Sequence, residues 1–206
     1  MSTARTDVPV TPFHESCTCR SLQEILQHKQ CARCHYTLAA EQTEADGFYV
    51  ISHAFRFTAA QEAEQAAVLQ GLLRSHGISA APTAQAQPLP HSPLALLRTA
   101  AEHEHAAWGE CLPRHAAIAE KEGFHRIAAA LRRIAETDQL HARRFARYME
   151  ALANGSLLQD EHPVSWVCLA CGHLHSGCAA PLQCTNCSGT QGHFIRSSFY
   201  PFAAET

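Results

Sequence analysis

Two Cys-x-x-Cys pairs near the C-terminus carry the clearest chemical signal in this 206-residue chain. The tail reads Trp166-Val167-Cys168-Leu169-Ala170-Cys171-Gly172 and later Cys184-Thr185-Asn186-Cys187, with twelve residues between the pairs. Each such turn aims two sulfurs at one point, and two facing turns complete a tetrahedron suited to iron or zinc. Residues 166–194 are therefore expected to fold around one metal ion held by Cys168, Cys171, Cys184 and Cys187. Ligand type alone suits either metal. Chance pairs of buried or disulfide cysteines are the alternative, and the paired spacing and the glycine after Cys171 argue against it.

A second cysteine group stands near the N-terminus, as Cys17-x-Cys19 and Cys31-x-x-Cys34, with His28 and His35 close by. Cysteines at i and i+3 of a helix share a face and can chelate one ion, and a flexible Cys-x-Cys segment could supply two more sulfurs. Cys17, Cys19, Cys31 and Cys34 are thus a candidate second thiolate site; free helix-surface thiols and a disulfide between the pairs are the competing readings. Cys111 and Cys178 read as ordinary thiols.

The third group is carboxylate and imidazole. Asp138-x-x-His141 falls within an apolar seam at 127, 131, 134, 138, 141, 145, 148 and 152. A charge in a buried seam is costly unless it is paired or binds an ion. Glu104 interrupts its own seam between Ala101 and Trp108, and Glu62 lies in line with Ile51, Phe55, Leu69 and Leu73. Glu62, Glu104, Asp138 and His141 are the candidate metal-binding and catalytic residues; a hydrogen-bonded polar layer without metal is the alternative. Lys29 occupies the seam position between Ile25 and Ala32, where its ammonium could balance those carboxylates and repel a cation.

Four helical stretches must position these groups. Spacings of three and four predict helices over about 21–45, 48–76, 94–122 and 124–153, with Pro113 kinking the third. Residues 75–93 hold four prolines and no helical period, which reads as a crossover rather than a tight turn. Two helical hairpins joined by a crossover make a four-helix bundle of ferritin-like connectivity over 21–158, after an irregular segment at 1–20 and before a small cysteine-rich domain at 162–206. An internal repeat supports the pairing. Phe48 of Asp46-Gly47-Phe48 stands 14 residues before Glu62, and Phe124 of Glu122-Gly123-Phe124 stands 14 before Asp138.

The net charge of −3 and the scattered basic residues give no sign of a nucleic-acid partner, and no apolar run is long enough for a membrane span. Ten cysteines without an export-type leader point to a reducing, cytoplasmic setting and to metal rather than disulfides.

The sequence resembles the rubrerythrin family over nearly all of residues 20–195, best in TAAEHEHAAWGECLPRHAAIAEKEGFHRIAAALRRIAETDQLHARRF and in WVCLACGHLHSGCAAPLQCTNC. The resemblance implies a mainly α protein: a ferritin-like diiron bundle followed by a rubredoxin-like β domain with one iron on four cysteines. It further implies a homodimer, fed by a redox donor protein, that reduces hydrogen peroxide, with electrons passing from the four-cysteine iron to the bundle, usually of a partner subunit. Cys168, Cys171, Cys184 and Cys187 match the rubredoxin-like ligands. Glu62, Glu104 and His141 match diiron ligands, and Asp138 stands where the family has Glu. Lys29 replaces a Glu, Gln65 the histidine of the first Glu-x-x-His, and Ala107 a second Glu on the third helix. The expected function is a rubrerythrin-like non-haem iron oxidoreductase acting on peroxide; the alternative is a non-catalytic metal-binding or electron-transfer protein whose bundle has lost its diiron site.

Overall fold

The computed structural model describes residues 12–80 and 88–199. Two long helices, α1 (Cys17–Ala45) and α2 (Tyr49–Ser75), form one hairpin. The other consists of α3 (Pro93–Ala106) and α4 (Leu112–Lys121), which together make one arm, and α5 (His125–Ala153). The described parts of the crossover, 76–80 and 88–92, contain no helix or strand, and 81–87 lie outside the described residues.

Both hairpin turns are built alike, as the internal repeat predicts. Gly47 and Gly123 take φ +81° and +83°, a left-handed conformation that a side chain would strain. Phe48 N–H then bonds to the Thr43 carbonyl and Phe124 N–H to that of Ala119, each at 2.8 Å, closing the helix ends in the same way.

The start of α1 corrects the expectation of an irregular segment to residue 20. The helix begins at Cys17 because its orphan N–H groups find acceptors: Ser16 Oγ takes Cys19 N–H, and the Glu122 carboxylate takes those of Cys17 and Thr18. Residues 1–11 lie outside the described residues.

The third arm is also more broken than a single kinked helix. Pro113 has no N–H to give the Gly109 carbonyl, and the chain responds with a widened π-helical turn over Ala107–Cys111. Leu112 N–H reaches back five residues to the Ala107 carbonyl.

The bundle core is divided in two. Toward the α1–α2 turn pack Tyr36, Ile51, Phe55, Leu97, Phe145 and Tyr148, and toward the other end Leu22, Ile25, Leu69, Leu73, Leu112 and Leu131. Between them lies a buried polar layer of Lys29, Glu62, Glu104, Asp138 and His141.

The tail is a three-stranded antiparallel sheet in the order β2-β1-β3, from β1 (Gln159–Cys168), β2 (Leu174–Ala179) and β3 (Phe194–Arg196). Trp166 and Phe194 fill its small core with Ala180, Cys168 and Cys184. Val167 and Ile195 join the bundle core instead, so the domain docks on the α1–α2 turn. There His193 stacks on Tyr49 with ring centroids 3.6 Å apart. Among the described residues no helix is long and apolar enough to cross a membrane.

Gly192 packs closely against the turn: a Cβ there would lie 1.9 Å from the Gly47 carbonyl oxygen. Gly192→Ala is therefore expected to cost roughly 1–3 kcal/mol of stability and to expose the chain between 153 and 159 to protease. Wild-type values in both chemical denaturation and limited proteolysis would mean that the tail does not rest on this turn.

Candidate metal centres

The two Cys-x-x-Cys turns reach the same point from opposite ends of the tail domain. In the first, which follows β1, Gly172 N–H bonds back to the Cys168 carbonyl at 2.8 Å; in the second, Ser188 N–H does so to the Cys184 carbonyl at 2.9 Å. The residue after each pair turns left-handed, Gly172 at φ +77° and Ser188 at +62°. The sulfurs of Cys168 and Cys187 lie 3.8 Å apart and those of Cys171 and Cys184 3.7 Å apart. All four come within 4.8 Å of one another. A tetrahedral ion with metal–sulfur bonds of about 2.3 Å requires sulfur–sulfur edges of about 3.8 Å, so the group fits one ion and is far too open for disulfides. Cys168 and Cys184 are buried, while Cys171 and Cys187 face solvent.

The second group lies in the polar layer of the bundle. One ligand atom from each of Glu62, Glu104, Asp138 and His141 comes within 4.8 Å of the others, and all four side chains are fully buried. His141 turns Nδ1 toward the carboxylates, 3.2 Å from Glu62 Oε1, 3.6 Å from Glu104 Oε2 and 3.8 Å from Asp138 Oδ1. Its Nε2 meets Gln61 Oε1 at 3.1 Å, which places the ring proton there and leaves Nδ1 for the centre of the layer. Arg144 holds Gln61 in turn, donating to Thr58 Oγ1 at 2.8 Å and to Gln61 Oε1 at 3.3 Å. Tyr36 Oη donates to Glu104 Oε1 at 2.6 Å.

Lys29 enters this layer directly. Its Nζ lies 2.6 Å from Asp138 Oδ2 and 3.2 Å from Glu62 Oε1, with the side chain almost wholly buried. Burial works against the ammonium, but Glu62, Asp138 and Glu104 outweigh it and hold its pKa above the usual lysine value. Burial likewise opposes the His141 cation, and the Glu104 and Glu62 carboxylates beside Nδ1 overcome it, raising the imidazole. Glu104 is held low because His141 and Lys29 outweigh its burial. Asp138 goes the other way. Burial, reinforced by Glu104 and Glu62, exceeds the pull of Lys29 and lifts its carboxyl to about 7.

The diiron arrangement does not fit this layer. A second cation would need Glu62 and Asp138 oxygens that already face an ammonium, and Ala107 offers no donor. Gln65 is buried, and neither of its amide atoms has a hydrogen-bond partner.

The N-terminal cysteines do not form one site. All four lie on α1, and the twelve residues from Cys19 to Cys31 span about 18 Å of helix. Cys19 is packed in the core, whereas Cys17 is exposed. Cys31 instead lines a cavity of about 530 Å³ with His28, His35, His103, Cys111 and Lys29. Sequence reasoning missed Gln61 and Arg144, which carry no spacing signal of their own. Tyr36, on α1 seven residues beyond Lys29, also reaches the layer through its hydroxyl and carries no polar signal in the helical spacing.

The family model for rubrerythrin matches residues 30–149, more than half of the chain. The chain belongs to the rubrerythrin family. Rubrerythrin of Clostridium perfringens is 32% identical over 169 residues, covering 79% of this chain and 85% of that protein. Rubrerythrin of Nitratidesulfovibrio vulgaris is 32% identical over 163 residues, with the same two coverages. Among solved structures, fully reduced nigerythrin superposes with TM-score 0.64 at 20% identity, over 95% of this chain and 98% of that one. Desulfovibrio desulfuricans bacterioferritin reaches 0.64 at 14% identity, over 68% and 81%. The ferritin-like bundle and the rubredoxin-like domain are thus both present, and membership of the rubrerythrin family points to a non-haem iron oxidoreductase.

Removing the Lys29 charge leaves two buried carboxylates unpaired, so Lys29→Met is expected to destabilise the metal-free protein by about 3–5 kcal/mol in chemical denaturation. A pH effect follows from Asp138. Its folded pKa of about 7 lies above the ordinary carboxylate value of 3.8, so its stabilising contribution is complete below that lower value and is lost as pH rises through 7. Denaturation of metal-free protein between pH 5 and 8 should show falling stability, and Asp138→Asn should flatten the slope; an identical slope in the variant would assign the effect elsewhere.

Proposed function

We propose that this rubrerythrin-family protein reduces hydrogen peroxide, with electrons entering through iron at Cys168, Cys171, Cys184 and Cys187. The observation that carries the reading is the presence in one chain of a four-thiolate group and a buried carboxylate–imidazole group. Peroxide needs two electrons and two protons to become two waters. Iron on four thiolates supplies electrons singly, shuttling between ferrous and ferric states with its ligands unchanged.

The chain's own residues account for the rest. Cys171 and Cys187 stand at the surface, where a redox donor protein can approach. The cavity beside Lys29 is a route for a small solute toward the polar layer. Lys29 Nζ, Tyr36 Oη and His141 are the proton holders around the carboxylates. Tyr49, against which the tail rests, precedes Glu62 by thirteen residues of α2, about 20 Å of helix. A homodimer in which each tail serves its partner's bundle would shorten that path. Ten cysteines, none of them in a disulfide, suit a reducing compartment such as the cytoplasm.

The Lys29 ion pairs with Asp138 and Glu62 favour a second reading, in which the protein only transfers electrons and the bundle is scaffold. Stopped-flow mixing of the reduced protein with hydrogen peroxide separates the two. Under the first reading the ferric-thiolate absorption returns rapidly, and Glu104→Ala or His141→Ala slows it by about a hundredfold or more. Equal rates in wild type and both variants would exclude the bundle as the site of reduction.

A further inference from the structure

We propose that the polar layer holds one divalent cation, and that the Lys29 ammonium occupies the place of a second. The orphaned atoms carry the argument. Glu62 Oε2, Glu104 Oε2, Asp138 Oδ1 and His141 Nδ1 are buried without a hydrogen-bond partner. A polar atom left so in a protein interior costs free energy unless something unaccounted for binds it. Here there are four, on four residues from three arms of the bundle, and they are the donor types that bind divalent transition metals.

The lysine divides the layer. Asp138 gives Oδ2 to Lys29 and keeps Oδ1, which lies toward His141, unpaired. Glu62 gives Oε1 to Lys29 and leaves Oε2 unpaired. Asp138 can therefore bridge an ammonium on one side and an ion on the other, and Glu62, whose Oε1 faces both Lys29 Nζ and His141 Nδ1 at 3.2 Å, keeps Oε2 free for the ion. The three positions that the family resemblance marks as replaced, Lys29, Gln65 and Ala107, all fall outside the group of Glu62, Glu104, Asp138 and His141, whose ligand atoms lie within 4.8 Å of one another. Formal charge gives the valence. In the protonation state that ligation requires, with His141 neutral and all three carboxylates ionised, the layer and its ammonium sum to −2, which one divalent ion neutralises and two would overshoot.

This inference does not depend on peroxide chemistry, and its test contains none. Metal-free full-length protein is titrated with Co²⁺, whose absorption is intense on thiolates and weak on oxygen and nitrogen donors. Two equivalents per chain are expected, one of each spectral kind, with His141→Ala losing only the weak one. Three equivalents would show that a second ion displaces Lys29, and one would show that the ammonium is a full substitute for metal; either overturns the proposal. Lys29→Met, which adds no ligand, should still take one ion in the bundle but bind it at least about tenfold more tightly, because a neighbouring cation is gone. Unchanged affinity in a folded variant would place the ammonium away from the ion.

Discussion

A lysine ammonium held between two carboxylates at mid-length of the bundle constrains the helices around it. Lys29 has almost no exposed surface, yet it cannot give up its charge while Asp138 and Glu62 stand within 2.6 and 3.2 Å. An ion pair this deep is weak evidence for stability, because desolvation offsets most of the attraction. What it does provide is registry: α1, α2 and α5 must place these three side chains at one level, and a helix sliding by one turn would bury a lone charge. The two apolar halves of the core are then fixed on either side of that layer.

The two hairpins share a turn geometry and a carboxylate position, but they now do different work. The α3–α5 hairpin keeps Glu104, Asp138 and His141, together with the Gln61–Arg144 support that orients the imidazole from the α2 side. The α1–α2 hairpin contributes Glu62 and a cation in place of ligands. Its outer end carries a second task, since the Gly47 turn is the seat of the tail domain, where Gly192 and His193 press against Gly47 and Tyr49. The two hairpins are thus alike in local fold and unlike in chemistry.

Much of this was legible from residue order. The four-cysteine group lies within a short segment whose turns are dictated by spacing, and its sulfurs meet as that spacing requires. Seam periodicity placed Lys29, Glu62, Glu104, Asp138 and His141 on inward faces, and the bundle brings them together. The expectations that failed depended on groups far away in the chain. α1 starts at Cys17 because Glu122 caps it from 105 residues away, and that early start makes the N-terminal Cys-x-Cys rigid and separates it from Cys31 and Cys34. The strain from Pro113 was readable, but its release through a π-helical turn upstream depended on what the neighbouring helices allow.

The sequence by itself determined which side chains face inward and which cysteines can share an ion, because helical period and short loops are local constraints. Tertiary structure alone decided how charge is shared among those inward groups. Burial and the summed fields of residues on three arms raise Asp138 to about 7 while holding Glu104 low. Desolvation and Coulomb energy depend on distances across the core, and no pattern along the chain contains those distances.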